Sequence, residues 1–564
     1  MPDLLTPALI YIVAALVVPL VPQGSPRQIV MLLVPLAAAA VVWGLPHGTY
    51  GNINLMGMHV GLMRVDALST IFGLGFTLAA IMLVVYAWHV RDTVQQIATL
   101  LYAGSAIGAV FAADLITLFV FWEGTAIASV FLIWARRTEG SYAAGMRYLI
   151  VQIGSGVILL AGILLYYRET GSIAFHAMDL AGLSTWAILL AFGIKSAFPL
   201  LHNWLHDAYP SATVTGTVVL SAFTTKLAIY ALVRGFPGTE ILIYIGVAMA
   251  LFPIAYALLE NDLRRILTYA LNSQLGFMVV GIGIGTPLAL NGAIAHALCS
   301  IFYQALLFMS VGAVLFRTGS SRASDLGGIA RYMPWTTFFC VVGGLSIAAL
   351  PATTGFVSKS LILSAAGYGG FYLVWLALIA ANIGAVMHTS VRLPLAAFFG
   401  ADRGLRPKEA PAHMLVAMTL AAAVSIGIGI YPDMLYAYLP HDVPYEPYTF
   451  THIVTQLQLI AFAALAFALI AGVGLWPASR AVIILDTDWA YRRLAAGLLG
   501  MLSLFIGTAW RWMKLVAGER LERFLDGIYR AHGPQGILAR TWPTGSMVLW
   551  IAILLGTTLV LTYV

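Results

Sequence analysis

The stretch Trp186-Ala-Ile-Leu-Leu-Ala-Phe-Gly-Ile-Lys195-Ser-Ala-Phe-Pro199-Leu-Leu-His202-Asn-Trp-Leu-His206-Asp207-Ala-Tyr-Pro210 places an ammonium, a helix breaker and a polar tail inside an apolar run. A second stretch, Leu350-Pro351-Ala-Thr-Thr-Gly-Phe-Val-Ser-Lys359, repeats the combination of proline and lysine. Proline removes a backbone donor and clashes with the preceding turn, so each span is expected to be discontinuous there. Backbone groups freed at membrane depth are tolerated where buried protein or water satisfies them. A lysine in hydrocarbon costs roughly 2.5–3.5 kcal/mol on insertion scales, so it faces a bundle interior. Only five lysines occur in the 564 residues, and Lys195, Lys226 and Lys359 interrupt apolar stretches.

Composition agrees with a bilayer protein. The chain is 61% hydrophobic and 9% charged, against about 25% charged in soluble domains. The net charge of +6 reads as loop arginines that set topology, with no basic run interleaved with aromatics for nucleic acid. Cys299 and Cys340 lie in apolar segments without metal spacing and read as buried free thiols. The reading is an all-α polytopic membrane protein of about sixteen transmembrane helices. Among its expected spans are 146–167, 212–234 and 334–364. The N-terminal run at Thr6–Val21 reads as a retained first span. With the N-terminus outside, the inward loops hold thirteen basic residues, Arg136, Arg264 and Arg322 among them, and the outward loops only Arg64, Arg168 and Arg234.

Residues 477–545 depart from this pattern through mixed charges such as Arg511, Lys514, Glu519 and Arg523. They read as a cytoplasmic amphipathic helix lying along the membrane surface or a neighbouring subunit. One extra span within 494–510 is the alternative.

Glu123, in Phe119-Val-Phe-Trp-Glu-Gly124, is the acidic counterpart of the lysines. Burial disfavours each charged form and mutual attraction favours it, so a buried Glu–Lys pair titrates as a unit. A permanent structural ion pair is the plainer alternative. Lys226 falls near mid-span, too far from an end to snorkel. His296, on an apolar helix, is either a hydrogen-bonded core residue or a proton carrier; His388 reads as structural. His202 and His206 stand four apart before Asp207, but the glutamate of HExxH is missing and the segment reads as a Pro-bounded loop. A polar vestibule for protons on the cytoplasmic side is the use expected of it. No GxGxxG after a strand and no Walker A sequence occurs, so no nucleotide or other cofactor is expected.

These residues resemble the antiporter-like proton-translocating membrane subunits of complex I, of membrane-bound hydrogenases and, above all, of Mrp-type Na+/H+ antiporters. The resemblance rests on Phe-Trp-Glu123, the Lys195–Pro199 stretch, Asp262-Leu-Arg-Arg-Ile-Leu-Thr-Tyr269 and the Leu350–Lys359 stretch, in that order. It implies two inverted five-helix repeats, near 96–234 and 240–399, flanked by N-terminal helices at 1–95, additional helices at 400–476 and the 477–564 segment with a final span. It also implies that Glu123, Lys195, Lys226, His296 and Lys359 transfer protons. Many relatives carry a lysine where this chain has Gln304, which orients water but carries no charge, so His296 or water would bridge the halves. The expected partners are other membrane subunits, protons, Na+ or K+, and the lipid of a bacterial-type inner membrane. The alternatives are a proton-pumping subunit of a redox complex, whose redox chemistry lies on other subunits, and a self-sufficient secondary transporter.

Overall fold

A computed structural model describes residues 6–55, 58–474, 486, 489, 493–494, 496–532 and 544–563. Two compact units emerge, Met1–Ile484 and Leu485–Val564. The first opens with α1 (Pro7–Val17) and α2 (Ser25–Gly44), then an antiparallel hairpin of β1 (Gly48–Leu55) and β2 (Met58–Val65), then α3 (Ala67–Tyr86). The hairpin departs from the all-α expectation; its glycines and asparagines mask a short alternation between two spans.

Next come α4 (Thr93–Phe111), α5 (Leu115–Trp134), α6 (Glu139–Thr170), α7 (Leu183–Lys195), α8 (Asn203–Ala208), α9 (Val214–Ala222) and α10 (Thr224–Gly235). They are followed by α11 (Ile241–Leu259), α12 (Leu263–Ile284), α13 (Pro287–Thr318), α14 (Pro334–Ile347), α15 (Thr354–Tyr368) and α16 (Tyr372–Ala385), which runs on as π-helix through Phe399. The two series match in length. α4 and α11 have 19 residues each, and α6 and α13 have 32 each. The first unit closes with α17 (Ala412–Ile430), the short α18 (Asp433–Tyr436) and α19 (Phe450–Gly472).

Thirteen described helices are long and apolar enough to cross a membrane, and the chain is a multi-pass membrane protein. The expected sixteen is not the number that length and composition return. Pro7–Leu20, Leu183–Lys195 and Pro334–Ile347 are apolar but shorter, the last two because each stops at a break. The span expected over 146–167 starts seven residues earlier, where Thr138 caps α6 and exchanges hydrogen bonds with Ser141. Helices α11 and α12 meet backbone to backbone: a Cβ on Gly246 would lie 2.6 Å from the Val280 nitrogen. Small residues permit such close approach where lipid supplies no hydrophobic drive.

The hairpin is pinned to the first series by charge. Arg234, at the end of α10, donates two bonds of 2.8 Å to Asp66, the N-cap of α3, and Arg64 lies 3.4 Å away. Partial burial works against the Asp66 carboxylate. Arg234, the Ser69 N–H and Arg64 outweigh it and hold its pKa at about 2. That is below the unfolded value of about 3.9, so the anchor is fully present above roughly pH 4 and is lost as pH falls towards 2. Asp66→Asn keeps an N-cap and removes the charge. In detergent, the variant is expected to melt below the wild type at neutral pH, with the gap closing on acidification through that window.

In the second unit, α20 (Ala496–His532) is a continuous 37-residue helix and α21 (Thr544–Tyr563) a 20-residue one. The stretch read as a possible separate span, 494–510, falls mostly within α20, which runs unbroken to His532 and is not among the helices long and apolar enough to cross a membrane. α20 is apolar at its start and charged from Arg511 onward. Residues 475–485, 487–488, 490–492, 495 and 533–543, part of the expected 477–545 segment, lie outside the described residues.

Candidate functional site

Two proline-marked breaks have the same backbone. After α7, Ala197 and Leu200 adopt φ of 63° and 69°; after α14, Ala349 and Ala352 adopt 61° and 67°. The Phe198 N–H reaches back to the Gly193 carbonyl and the Leu350 N–H to the Leu345 carbonyl, each at 3.0 Å. Non-glycine residues in this conformation cost on the order of 1–3 kcal/mol each and persist only where packing dictates them. Pro199 and Pro351 take matching places, yet the lysines do not: Lys195 precedes the first break and Lys359 follows the second. Counted from its proline, Asp207 occupies the place that Lys359 holds in the other half.

Each lysine is fully buried and donates to a main-chain carbonyl. Lys195 Nζ bonds the Trp122 carbonyl at 2.5 Å and Thr125 Oγ1 at 2.7 Å, and stands 4.2 Å from the Trp122 ring centroid. Lys226 Nζ bonds the Ser221 carbonyl at 2.9 Å and Gln304 Oε1 at 2.8 Å. Lys359 Nζ bonds the Ile347 carbonyl at 2.7 Å and Asn382 Oδ1 at 2.9 Å, facing the Phe277 ring. A third break lacks any signal in the sequence. The span read as continuous over 212–234 parts at Phe223 into α9 and α10 without any proline, and Lys226 caps a carbonyl of the last turn of α9.

Glu123 lies against α6, where a Cβ on Gly156 would overlap its Oε1. That oxygen is buried with no hydrogen-bond partner. Glu123 and Lys195 feel each other's charge, but no ion pair joins them among the described residues. The ammonium instead contacts the carbonyl of Trp122, the residue before the glutamate.

Buried polar groups recur between the two series of helices in separate contacts, with Gln304 and Tyr303, and Ser358 and Lys359, joined only as chain neighbours. Lys226 meets Gln304; the neighbouring Tyr303 hydroxyl lies 3.4 Å from His296 Nε2; His296 Nδ1 lies 2.9 Å from Ser358 Oγ, beside Lys359. Both polar atoms of Asn272 and Gln274 on α12 and of Gln152 on α6, with Gln304 Nε2 and Thr225 Oγ1, are buried without hydrogen-bond partners. Buried polar groups bind protein or water, so these atoms mark where water can enter the interior. Lys359 also lines a cavity of about 340 Å³ with Asn382, Tyr368, His452 and Gln456.

The expected vestibule at His202, His206 and Asp207 is not a loop. Residues 203–208 form the helix α8, and all three side chains are buried. Arg147 Nε pairs with Asp207 at 2.7 Å, His206 Nδ1 lies 2.9 Å from Thr268 Oγ1, and its ring stacks on Tyr269 at 3.8 Å. The cluster thus ties α6, α8 and α12 together beneath the surface. His388, read as structural, sits in the π-helical segment beside Thr389 at 2.6 Å and feels the charges of Lys359 and Arg392. Sequence reasoning also misses Asn382, Ser358, Tyr303 and Gly156, which carry no charge and no motif of their own.

Residues 112–384, just under half of the chain, match the family model for NADH:quinone oxidoreductase/Mrp antiporter transmembrane proteins, and the chain is similar to this antiporter-like superfamily of membrane subunits. It is 27% identical to hydrogenase-4 component B of Escherichia coli, over 67% of this chain and 64% of that protein. It is 28% identical to a Na(+)/H(+) antiporter subunit of Alkalihalophilus pseudofirmus, over 59% and 71%. It is 34% identical to an NADH-quinone oxidoreductase subunit of Desulforudis audaxviator, over 46% and 56%. The chain therefore spans between half and three quarters of these relatives. Its fold matches a chain of the Mrp complex from Dietzia sp. DQ12-45-1b with a TM-score of 0.73 at 21% identity, over 99% of this chain and 63% of that one. It matches a chain of an archaeal membrane-bound sulfane sulfur reductase with a TM-score of 0.71 at 21% identity, over 99% and 100%.

Proposed function

We propose that the protein is the proton-conducting, antiporter-like subunit of a multisubunit Na+/H+ (or K+/H+) antiporter. The observation that carries this reading is the row of buried polar groups between the two series of helices: Lys226 on Gln304, Tyr303 and Ser358 on His296, and Lys359 on Asn382. The two matched series of helices, each of five spans, form inverted repeats near 96–234 and 240–399, because an odd number of crossings reverses the second copy. With the N-terminus outside, arginine-bearing loops stay in the cytoplasm of a bacterial-type inner membrane. A proton enters near His202, His206 and Asp207, reaches Lys195 and Lys226, and crosses through water, Gln304 and His296 to Lys359. Glu123 holds its charge near Lys195, and closing or opening that approach decides which group keeps the proton. No step needs a cofactor; partner membrane subunits supply the coupled cation gradient.

Similarity to a hydrogenase component and to a chain of a respiratory reductase favours one second reading. In it the same path serves a redox-driven pump, and co-purifying iron–sulfur or flavin proteins would identify that assembly. For the path itself, Glu123→Ala, Lys195→Ala and Lys359→Ala are each expected to abolish cation/proton exchange in everted vesicles while the complex still assembles. Normal exchange by all three would reject the relay.

A further inference from the structure

On the arginine-rich face, a cavity of about 710 Å³ opens between the ends of α5, α12 and α13. Its walls carry Arg136, Arg264, Arg265 and Arg322 together with Glu260, Asp262 and Asp325. Every carboxylate is engaged. Glu260 accepts the Asn261 N–H at 2.8 Å and lies 3.7 Å from Arg265. Asp262 caps α12 through the Arg264 N–H at 2.8 Å and accepts the Ser321 hydroxyl at 2.9 Å. Asp325 accepts the hydroxyls of Ser320 and Ser324, both at 2.9 Å.

Arg136, Arg264 and Arg322 therefore have no carboxylate partner among the described residues. Arg136 donates to the Pro210 carbonyl at 2.9 Å and Arg264 to the Ala212 carbonyl at 3.1 Å and to Thr217 Oγ1 at 3.2 Å, all neutral acceptors, while Arg264 also feels the charge of Asp262. Arg264 is 2% exposed, and its Nε has no hydrogen-bond partner. Four guanidinium groups against three carboxylates leave the lining with a net positive charge, and the planar guanidinium fork matches phosphate oxygens.

We propose that this cavity binds a phosphate oxyanion. At the mouth of a helix bundle that group can come from an anionic phospholipid headgroup or from free phosphate. The proposal stands whether or not the chain exchanges cations for protons.

The test uses the protein in its native assembly, placed in nanodiscs of phosphatidylcholine alone, of phosphatidylcholine with phosphatidylglycerol, or of phosphatidylcholine with inorganic phosphate in the buffer. Thermal unfolding of this chain is followed as each probe is titrated. The wild type is expected to be stabilised by one of the two. The Arg136→Gln/Arg322→Gln double variant, altered at exposed positions, is expected to need about 100-fold more of the same probe, two charge-assisted bonds at roughly tenfold each. An Arg168→Gln/Arg403→Gln variant, which removes as much charge elsewhere, should respond like the wild type. Stabilisation by phosphatidylglycerol alone assigns a lipid headgroup; stabilisation by inorganic phosphate assigns the soluble anion. No stabilisation of the wild type, or equal responses from the two double variants, overturns the proposal.

Discussion

Lys226→Arg is expected to lower proton translocation by about 100-fold or more, the scale of a lost proton-transfer group, while the protein still assembles. The argument turns on what each cation can do. Lys226 Nζ holds the Ser221 carbonyl and Gln304 Oε1 at 2.9 and 2.8 Å, next to the break at Phe223. If the ammonium serves only to cap a freed carbonyl, a guanidinium supplies the same charge with more donors and activity survives. If the ammonium must release its proton, arginine cannot, since it stays protonated in proteins. Lys226→Met supplies the second arm, keeping length and apolar bulk while leaving both acceptors without a donor. Translocation is measured as proton uptake by everted vesicles, with subunit co-purification as the control for assembly. Wild-type uptake by the arginine variant would reduce Lys226 to a structural cap.

Gly156→Ala is the second large effect expected from a small change. One added methyl group would overlap Glu123 Oε1, and α6 is held there by Trp122 bonding Ser155 at 3.2 Å and Ser155 bonding the Ala191 carbonyl at 2.8 Å. The carboxylate must therefore leave its place beside Lys195, and exchange should fall nearly as far as in Glu123→Ala. Gly154→Ala, two residues away on the same helix with nothing within 4 Å of its Cβ, should be silent. Full activity in both alanine variants would show that the position of the Glu123 carboxylate does not matter to transport.

Much of this arrangement is legible in the chain itself, and the residues explain which parts are not. Charge inside apolar runs is costly, so Glu123, Lys195, Lys226 and Lys359 announce polar groups turned to the bundle interior before any geometry. Pro199 and Pro351 announce two of the three breaks because proline acts through its own ring. The break at Phe223 has no such local cause; tertiary contacts impose it, among them the Tyr102 hydroxyl accepting the Thr224 N–H at 3.0 Å. The vestibule reads as a loop because Pro199 and Pro210 bracket it, whereas the six residues of α8 fit between them and bury both histidines. Tyr303, Ser358 and Asn382 are ordinary membrane-helix residues, and only the packing of α13, α15 and α16 sets the first two against His296 and the third against Lys359. The Glu123–Lys195 pair shows the limit of charge matching. Opposite signs identify the two groups but not the Trp122 carbonyl and Thr125 hydroxyl that hold the ammonium.

The central claim is that the interior between Lys226 and Lys359 is a hydrated, connected file, and water density tests it most directly. A high-resolution map of the membrane assembly is expected to place ordered waters on Gln304 Nε2, Asn272 and Gln274, joining Lys226 to His296 and Lys359. Dry packing around those atoms, with the three amides paired to protein groups and no chain of polar contacts between the lysines, would contradict it.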